Sequence, residues 1–152
     1  RTDVLYKEKA DIKLVIDHSI KSLDSFLFHR NVKIDKKIDA QIPMIYDHGL
    51  ERILINLLRN AVDSMKDGGK ISIHAKYAKR QLILDVQDNG CGIPENQIDQ
   101  IFEPFFTTKD IDKGCGLGLT IVSEIVKSYE GKITVESKVG EGTTFTITLP
   151  VE

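Results

Sequence analysis

Leu82-Ile83-Leu84-Asp85-Val86-Gln87-Asp88-Asn89-Gly90-Cys91-Gly92-Ile93-Pro94 is an alternating apolar run that ends in a glycine turn. The two-residue period of a strand puts Leu82, Leu84, Val86 and Asp88 on one face, which aims Asp88 at the apolar side. A carboxylate placed there loses hydration and needs donors in compensation. The amine of a bound planar ring would serve, and so would the backbone N–H groups of the following turn. Asp-Asn-Gly is also common turn chemistry, and the stretch alone leaves both readings open. Gly90 and Gly92 have no Cβ, so other groups can approach the main chain closely.

The same chemistry returns at Gly114-Cys115-Gly116-Leu117-Gly118-Leu119-Thr120. This second loop runs into Leu117, Ile121, Val122, Ile125, Val126 and Tyr129, spaced as the buried stripe of a helix. Unpaired N–H groups at such a helix start form an anion site. Between the loops lies Ile101-Phe102-Glu103-Pro104-Phe105-Phe106-Thr107-Thr108-Lys109. Its phenylalanines read either as core or as the aromatic foot of a flap hinged at the glycines, with Lys109 able to reach a bound anion.

Outward from these loops, the strands share one pattern. Ile71, Ile73, Ala75 and Tyr77 alternate with polar residues, Ile133 and Val135 follow suit, and Phe145, Ile147 and Leu149 alternate with Thr144, Thr146 and Thr148. One apolar face per strand predicts an α+β chain: a two-layer α/β sandwich whose mixed, mostly antiparallel sheet carries helices on one face only. It argues against a doubly wound parallel sheet. Ile12, Val15, Ile16, Ile20, Leu23, Phe26 and Leu27 predict one amphipathic helix. Val32 and Ile34 predict a strand, Pro43 to Tyr46 a short extended piece, and Asp47 an N-cap.

A second helix is expected from about Gly49 to Lys66, with Leu54, Leu57, Leu58, Ala61, Val62 and Met65 as its stripe and Asp67-Gly68-Gly69 as its stop. Away from the stripe stand Asn56 and Asn60, one turn apart. Asparagine is a poor helix former. The pair is either part of a solvated face with Arg52, Arg59 and Asp63, or two amide oxygens set as hard ligands for a cation such as Mg²⁺.

A chain of 152 residues fits one domain, here 9–152, with 1–8 as a linker or the end of a preceding helical domain. The net charge of −2 provides neither a basic surface for nucleic acid nor a membrane-binding imbalance. The two cysteines, Cys91 and Cys115, lack zinc spacing, and a reducing cytosol suits them. No apolar run approaches a membrane span. The start at Arg1 suggests a piece of a longer, cytoplasmically exposed protein whose other parts are free to be membrane-anchored. His18, His29, His48 and His74 have no metal-ligand spacing, no Gly-x-x-x-x-Gly-Lys-Ser/Thr occurs, and Leu119 stands where a dinucleotide fingerprint needs its third glycine. What remains is a carboxylate able to read a ring, a cationic helix start, an amide pair and a flap with a lysine, which together describe a nucleoside triphosphate site.

Five motifs in order give a resemblance across nearly the whole chain. Asn56-Leu57-Leu58-Arg59-Asn60-Ala61, Asp88-x-Gly90-x-Gly92, Phe102-Glu103-Pro104-Phe105, Gly114-x-Gly116-Leu117-Gly118-Leu119 and Gly140-x-Gly142-Thr143-Thr144-Phe145 resemble the N box, first glycine box, F box, second glycine box and last glycine box of sensor histidine kinase catalytic domains. These belong to the superfamily of DNA gyrase, the Hsp90 chaperones and MutL, with the Bergerat-type ATP-binding fold. The resemblance implies ATP and Mg²⁺ as ligands. It implies that Asp88 accepts from the adenine amine with Thr143 in support through water, and that Asn56 and Asn60 hold Mg²⁺. The nucleotide would lie against Gly90, Gly92, Ile93, Lys109, Gly114, Gly116, Leu117, Gly118 and Leu119. Asn56, Asn60 and Lys109 would be the catalytic set, and Phe102, Phe105 and Phe106 would meet the helical dimerisation and phosphoacceptor domain, with a response regulator downstream.

Where hydrolytic relatives carry a water-activating glutamate, this chain has Asn56, which cannot act as a base. Transfer to an acceptor is therefore expected over hydrolysis. None of the four histidines is followed by the His-Glu-x-x-x-Pro pattern of the family's acceptor, so the acceptor belongs to a separate domain. The chain departs from many family members in having Asp63 where they have lysine, with Arg59 or Lys109 as candidate substitutes. Two alternatives share the fold: a serine kinase of the anti-sigma-factor kind, and a non-catalytic nucleotide-binding module.

Overall fold

Among the described residues, the apolar stripes of the helices and strands face one another across two layers. A computed structural model describes residues 8–104 and 116–151, with 116–118 as backbone only. The chain runs β1 (Lys9–Ala10), α1 (Ile12–Ser22), α2 (Asp24–His29), β2 (Val32–Ile38), β3 (Ile45–Tyr46), α3 (Leu50–Asp63), β4 (Gly69–Ala78) and β5 (Gln81–Asp88). A 3₁₀ turn (Glu95–Gln100), α4 (Gly116–Ser128), β6 (Lys132–Lys138) and β7 (Gly142–Pro150) complete it.

The main sheet has the order β2-β4-β5-β7-β6. Only β2 and β4 pair in parallel; the other pairs are antiparallel. This is the expected mixed, mostly antiparallel sheet. The helices share one layer: α3 packs against both α1 and α4, and it lies on β4 and β5, while α4 also reaches β6 and α2 reaches β2. Between the layers Ile16, Ile53, Leu54, Leu58, Ile71, Leu82, Leu84 and Ile147 are at most 1% exposed. Each such side chain contributes roughly 1.5–3 kcal/mol relative to exposure. The opposite sheet face is polar, with Lys70 2.7 Å from Asp35, Lys76 3.2 Å from Asp85, and Thr146 Oγ1 donating to Asp85 at 2.7 Å.

Three local expectations need correction. The single helix expected over Ile12 to Leu27 is two, because the chain bends at Leu23 (φ −105°, ψ 11°). Ser19 and Ser22 turn their hydroxyls back onto the carbonyls of Val15 and Ser19, at 2.7 and 2.9 Å, a pattern that bends helices. The second helix ends at Asp63 rather than Lys66. Ser64 N–H reaches the carbonyls of both Asn60 and Ala61 at 3.2 Å, and Ser64 Oγ donates to Ala61 O at 2.7 Å, tightening the final turn. The residue at the N-cap position is Gly49 at φ 122°, which has no side chain to offer. Asp47 still caps from two residues upstream, accepting from Gly49 N and Leu50 N at 2.9 and 3.0 Å.

The extended piece before Asp47 pairs with a strand the sequence did not announce. β1 and β3 form a separate two-stranded antiparallel sheet, extended by Asp47 N–H donating to Glu8 O at 2.8 Å. Tyr129, just past α4, fastens it: its hydroxyl donates to Tyr46 O at 2.6 Å and accepts from His48 N–H at 2.7 Å.

Candidate functional site

The last core-facing position of β5 is occupied by Asp88, only 6% exposed. Its cross-strand partners are Ile71 on β4 and Thr143 on β7, so the carboxylate sits in a row otherwise filled by apolar side chains. Gly90 N–H donates to its Oδ1 at 2.8 Å and Ser64 Oγ at a long 3.5 Å. Burial raises its pKa; the backbone N–H groups of Gly90 and Thr143 and the Ser64 hydroxyl oppose that rise without cancelling it. A buried acceptor with incomplete compensation favours a donor-bearing ligand.

The turn after Asp88 is held from both sides. Cys91 N–H donates to Ser64 O at 3.0 Å and Gly140 N–H to Cys91 O at 2.9 Å, while Ile93 N–H donates to Ser137 Oγ at 2.7 Å. Gly92 has φ 79°, and a Cβ there would run into the Lys138 carbonyl. Glycine is thus required twice over, by conformation and by space. Thr143 is 5% exposed, and its Oγ1 lies 2.8 Å from Ser137 Oγ.

Asn56, Asn60 and Ser64 stand at i, i+4 and i+8, one row along α3 and its end. That row leads from the amide pair to Asp88. Both asparagines are partly buried, and Asn60 Nδ2 donates to Asn56 O at 3.0 Å. An amide oxygen, unlike the nitrogen used in that bond, is the kind of atom a hard cation prefers. Among the described residues no three His, Cys, Asp or Glu side chains gather as a metal cluster.

Of the remaining expected positions, Ile93 packs against the core. Gly116, Leu117 and Gly118 have helical backbone as the first turn of α4, and Leu119 is 8% exposed. Lys109, Gly114, Phe105 and Phe106 lie outside the described residues, as does Cys115. Phe102, expected at a partner surface, packs edge-on against Phe145 with centroids 6.3 Å apart and is partly buried. A cavity of about 280 Å³ opens at the strand ends, lined by core-facing Asp88, Ser137 and Thr143 and by outward Gln87, Glu136 and Thr144.

Three residues near the site carried no sequence signal. Ser64 and Ser137 became visible only through long-range register. Arg30, at the end of α2, places Nη1 3.4 Å from Asp63 Oδ1 and donates from Nη2 to Val62 O at 3.3 Å. It thus pairs with Asp63, the position at which the chain departs from many family members. Arg59, named above as a substitute, lies over the Phe26 ring at 5.1 Å.

Residues 46–152 match the family of histidine kinase-, DNA gyrase B-, and HSP90-like ATPases. Sporulation kinase E of Bacillus subtilis (strain 168) is 36% identical over 151 residues, covering 97% of this chain and 20% of that protein. The catalytic domain of histidine kinase ThkA has the same fold at TM-score 0.84, with 27% identity and 95% of both chains covered. Full-length ShkA in complex with AMPPNP gives a TM-score of 0.85 at 25% identity, over 96% of this chain and 31% of that one. The chain spans no more than about a third of the length of the curated relatives it matches. The buried Asp88, the α3 amide row and these likenesses agree: the chain belongs to the histidine kinase-, DNA gyrase B- and HSP90-like ATPase family, as a domain of the histidine kinase catalytic type.

Proposed function

We propose that residues 9–152 bind Mg-ATP and donate its γ-phosphate to a histidine on a separate helical dimerisation domain, as the kinase part of a two-component system. The observation that carries this reading is the buried Asp88 carboxylate, 6% exposed, in register with buried Thr143. A charged acceptor aimed at an amine is worth roughly 1.5–3 kcal/mol. It selects adenine over guanine, which offers a carbonyl at the corresponding edge.

Asn56 and Asn60 would hold Mg²⁺, which, when bound, neutralises phosphate charge and orients the transferring group. Backbone N–H groups at the start of α4 would receive phosphate oxygens, with Lys109 closing over them. Asn56 has no basic lone pair to activate water, so hydrolysis is slow and the phosphoryl group waits for an acceptor. Positioning and charge neutralisation are most of what phosphoryl transfer asks of a protein. Phe102, Phe105 and Phe106 would meet the partner domain, with Phe102 partly seated on Phe145. A response regulator would act downstream, and a cytoplasmic setting provides the ATP.

Titration calorimetry with Mg²⁺ tests the binding step. ATP is expected to bind in the micromolar to millimolar range and GTP much more weakly; binding of GTP with no heat from ATP would remove the adenine assignment. Labelled phosphate transferred to an added helical dimerisation domain should be lost in acid. Acid-stable label would indicate the serine kinase instead, and nucleotide binding with no transfer the non-catalytic module.

A further inference from the structure

Ser137 belongs to none of the five motifs, yet its hydroxyl joins three parts of the site. Ile93 N–H donates to it at 2.7 Å, Gly142 O lies 3.0 Å away, and Thr143 Oγ1 lies 2.8 Å away. Directionality fixes this small network. An amide N–H can only donate and a carbonyl can only accept, so Ser137 takes the Ile93 proton and gives its own to Gly142 O. The contact to Thr143 then forms only if Thr143 is the donor. That arrangement alone satisfies all three partners, and it uses the one proton Thr143 has.

We infer that Ser137 is a positioning residue for base selectivity: by holding the Thr143 proton it makes the wall formed by Asp88 and Thr143 a pair of acceptors. The inference rests on the nucleotide reading above. Asp88 and Thr143 are direct cross-strand partners, and both are at least 94% buried. Two adjacent acceptors welcome a group with two N–H bonds, or a water giving both of its protons. A purine with oxygen in place of the amine brings a third acceptor and leaves buried lone pairs facing one another, which is costly. Without Ser137 the Thr143 hydroxyl is free to turn and donate, and that penalty shrinks.

The test compares ATP with inosine triphosphate, which replaces the amine by a carbonyl. Affinities are measured by calorimetry in Mg²⁺ for the wild-type chain, Ser137→Ala and Ser137→Thr. Ser137→Ala is expected to narrow the ATP-to-inosine triphosphate affinity ratio about fivefold, the worth of one hydrogen bond, while Ser137→Thr keeps the wild-type ratio. In a Thr143→Val background the further change Ser137→Ala should add nothing. A serine that merely latched the β6–β7 hairpin would lower both affinities together, and an unchanged ratio in Ser137→Ala overturns the inference. Should that variant not fold, Thr143→Val alone decides: the ratio must narrow, and a wild-type ratio overturns the inference. A wild-type chain that binds ATP without preferring it overturns the nucleotide reading as well.

Discussion

Gly90 stands so close to Ser64 that a methyl group on it would overlap the serine hydroxyl, Cβ and carbonyl oxygen. The end of α3 and the turn after β5 therefore touch through bare backbone. The same two residues serve Asp88, Gly90 through its N–H and Ser64 through its hydroxyl.

Gly90→Ala is expected to cost roughly 1–3 kcal/mol, as overpacking does, and to weaken ATP binding by displacing the donor to Asp88. Ser64 has little room to give, because its carbonyl is bonded to Cys91 N–H at 3.0 Å. Gly140→Ala makes the comparison: its added methyl meets nothing within 4 Å, and only the backbone conformation, φ 84°, opposes it, at about 1–2 kcal/mol. Thermal melts of the two variants should rank Gly90→Ala lower. The reverse order would mean that the α3 end moves aside freely.

Asp88 gives stability and ligand binding opposite pH slopes. Its folded pKa is raised, so between the ordinary value of 3.8 and the raised one the folded chain holds a proton the unfolded chain has lost. Its contribution to stability is thus largest at low pH and declines as pH rises through that window. The ionised form is the stronger acceptor for the adenine amine, so ATP affinity rises through the same window. Asp88→Asn should remove the stability slope, leave the chain no less stable at pH 7, and reduce ATP affinity roughly 10- to 100-fold. Urea melts across pH 4 to 8 check the first part and calorimetry the second; marked destabilisation at pH 7 would show the ionised form to be stabilising.

Asn60→Asp separates metal binding from base binding. The carboxylate cannot replace the donor that reaches Asn56 O at 3.0 Å, so about 1 kcal/mol of helix stability is lost. Asp88 and Thr143 are untouched, and base selectivity between ATP and GTP should persist. Phosphotransfer to an added helical domain should disappear. Full transfer by this variant would refute the role given to the amide pair.

The fold class and the inward Asp88 were legible because both follow from short-range periodicity. Alternation through Leu82, Leu84 and Val86 fixes the carboxylate's side, and the α3 stripe fixes which way Asn56 and Asn60 do not face. The break at Leu23 was hidden, since the apolar spacing runs on through it and the serine back-bonds that bend the chain compete only weakly with helix. β1 was hidden because two residues carry no period. Ser137 was hidden for a different reason. Its importance depends on lying across from Thr143 in the β6–β7 register and beside a turn 44 residues earlier in the chain, and no local pattern encodes either.

Tyr129→Phe probes the joint between the small β1–β3 sheet and α4. The hydroxyl donates to Tyr46 O at 2.6 Å and accepts from His48 N–H at 2.7 Å. Burial pushes its pKa up to about 12, with the Asp47 charge adding to the rise, so it stays protonated and able to donate at any physiological pH. Phenylalanine keeps the ring that stacks on His48 at 4.4 Å but leaves a carbonyl and an N–H without that partner. The expected cost is roughly 1–3 kcal/mol. It should fall locally: hydrogen exchange at the His48 amide should quicken first, followed by the β1–β3 pairs at Ala10 and Ile45, while the α3 amides hold to the global unfolding limit. If the His48 amide keeps its wild-type protection, the hydroxyl is not what fastens β3, and the joint must rest on the stacked rings alone.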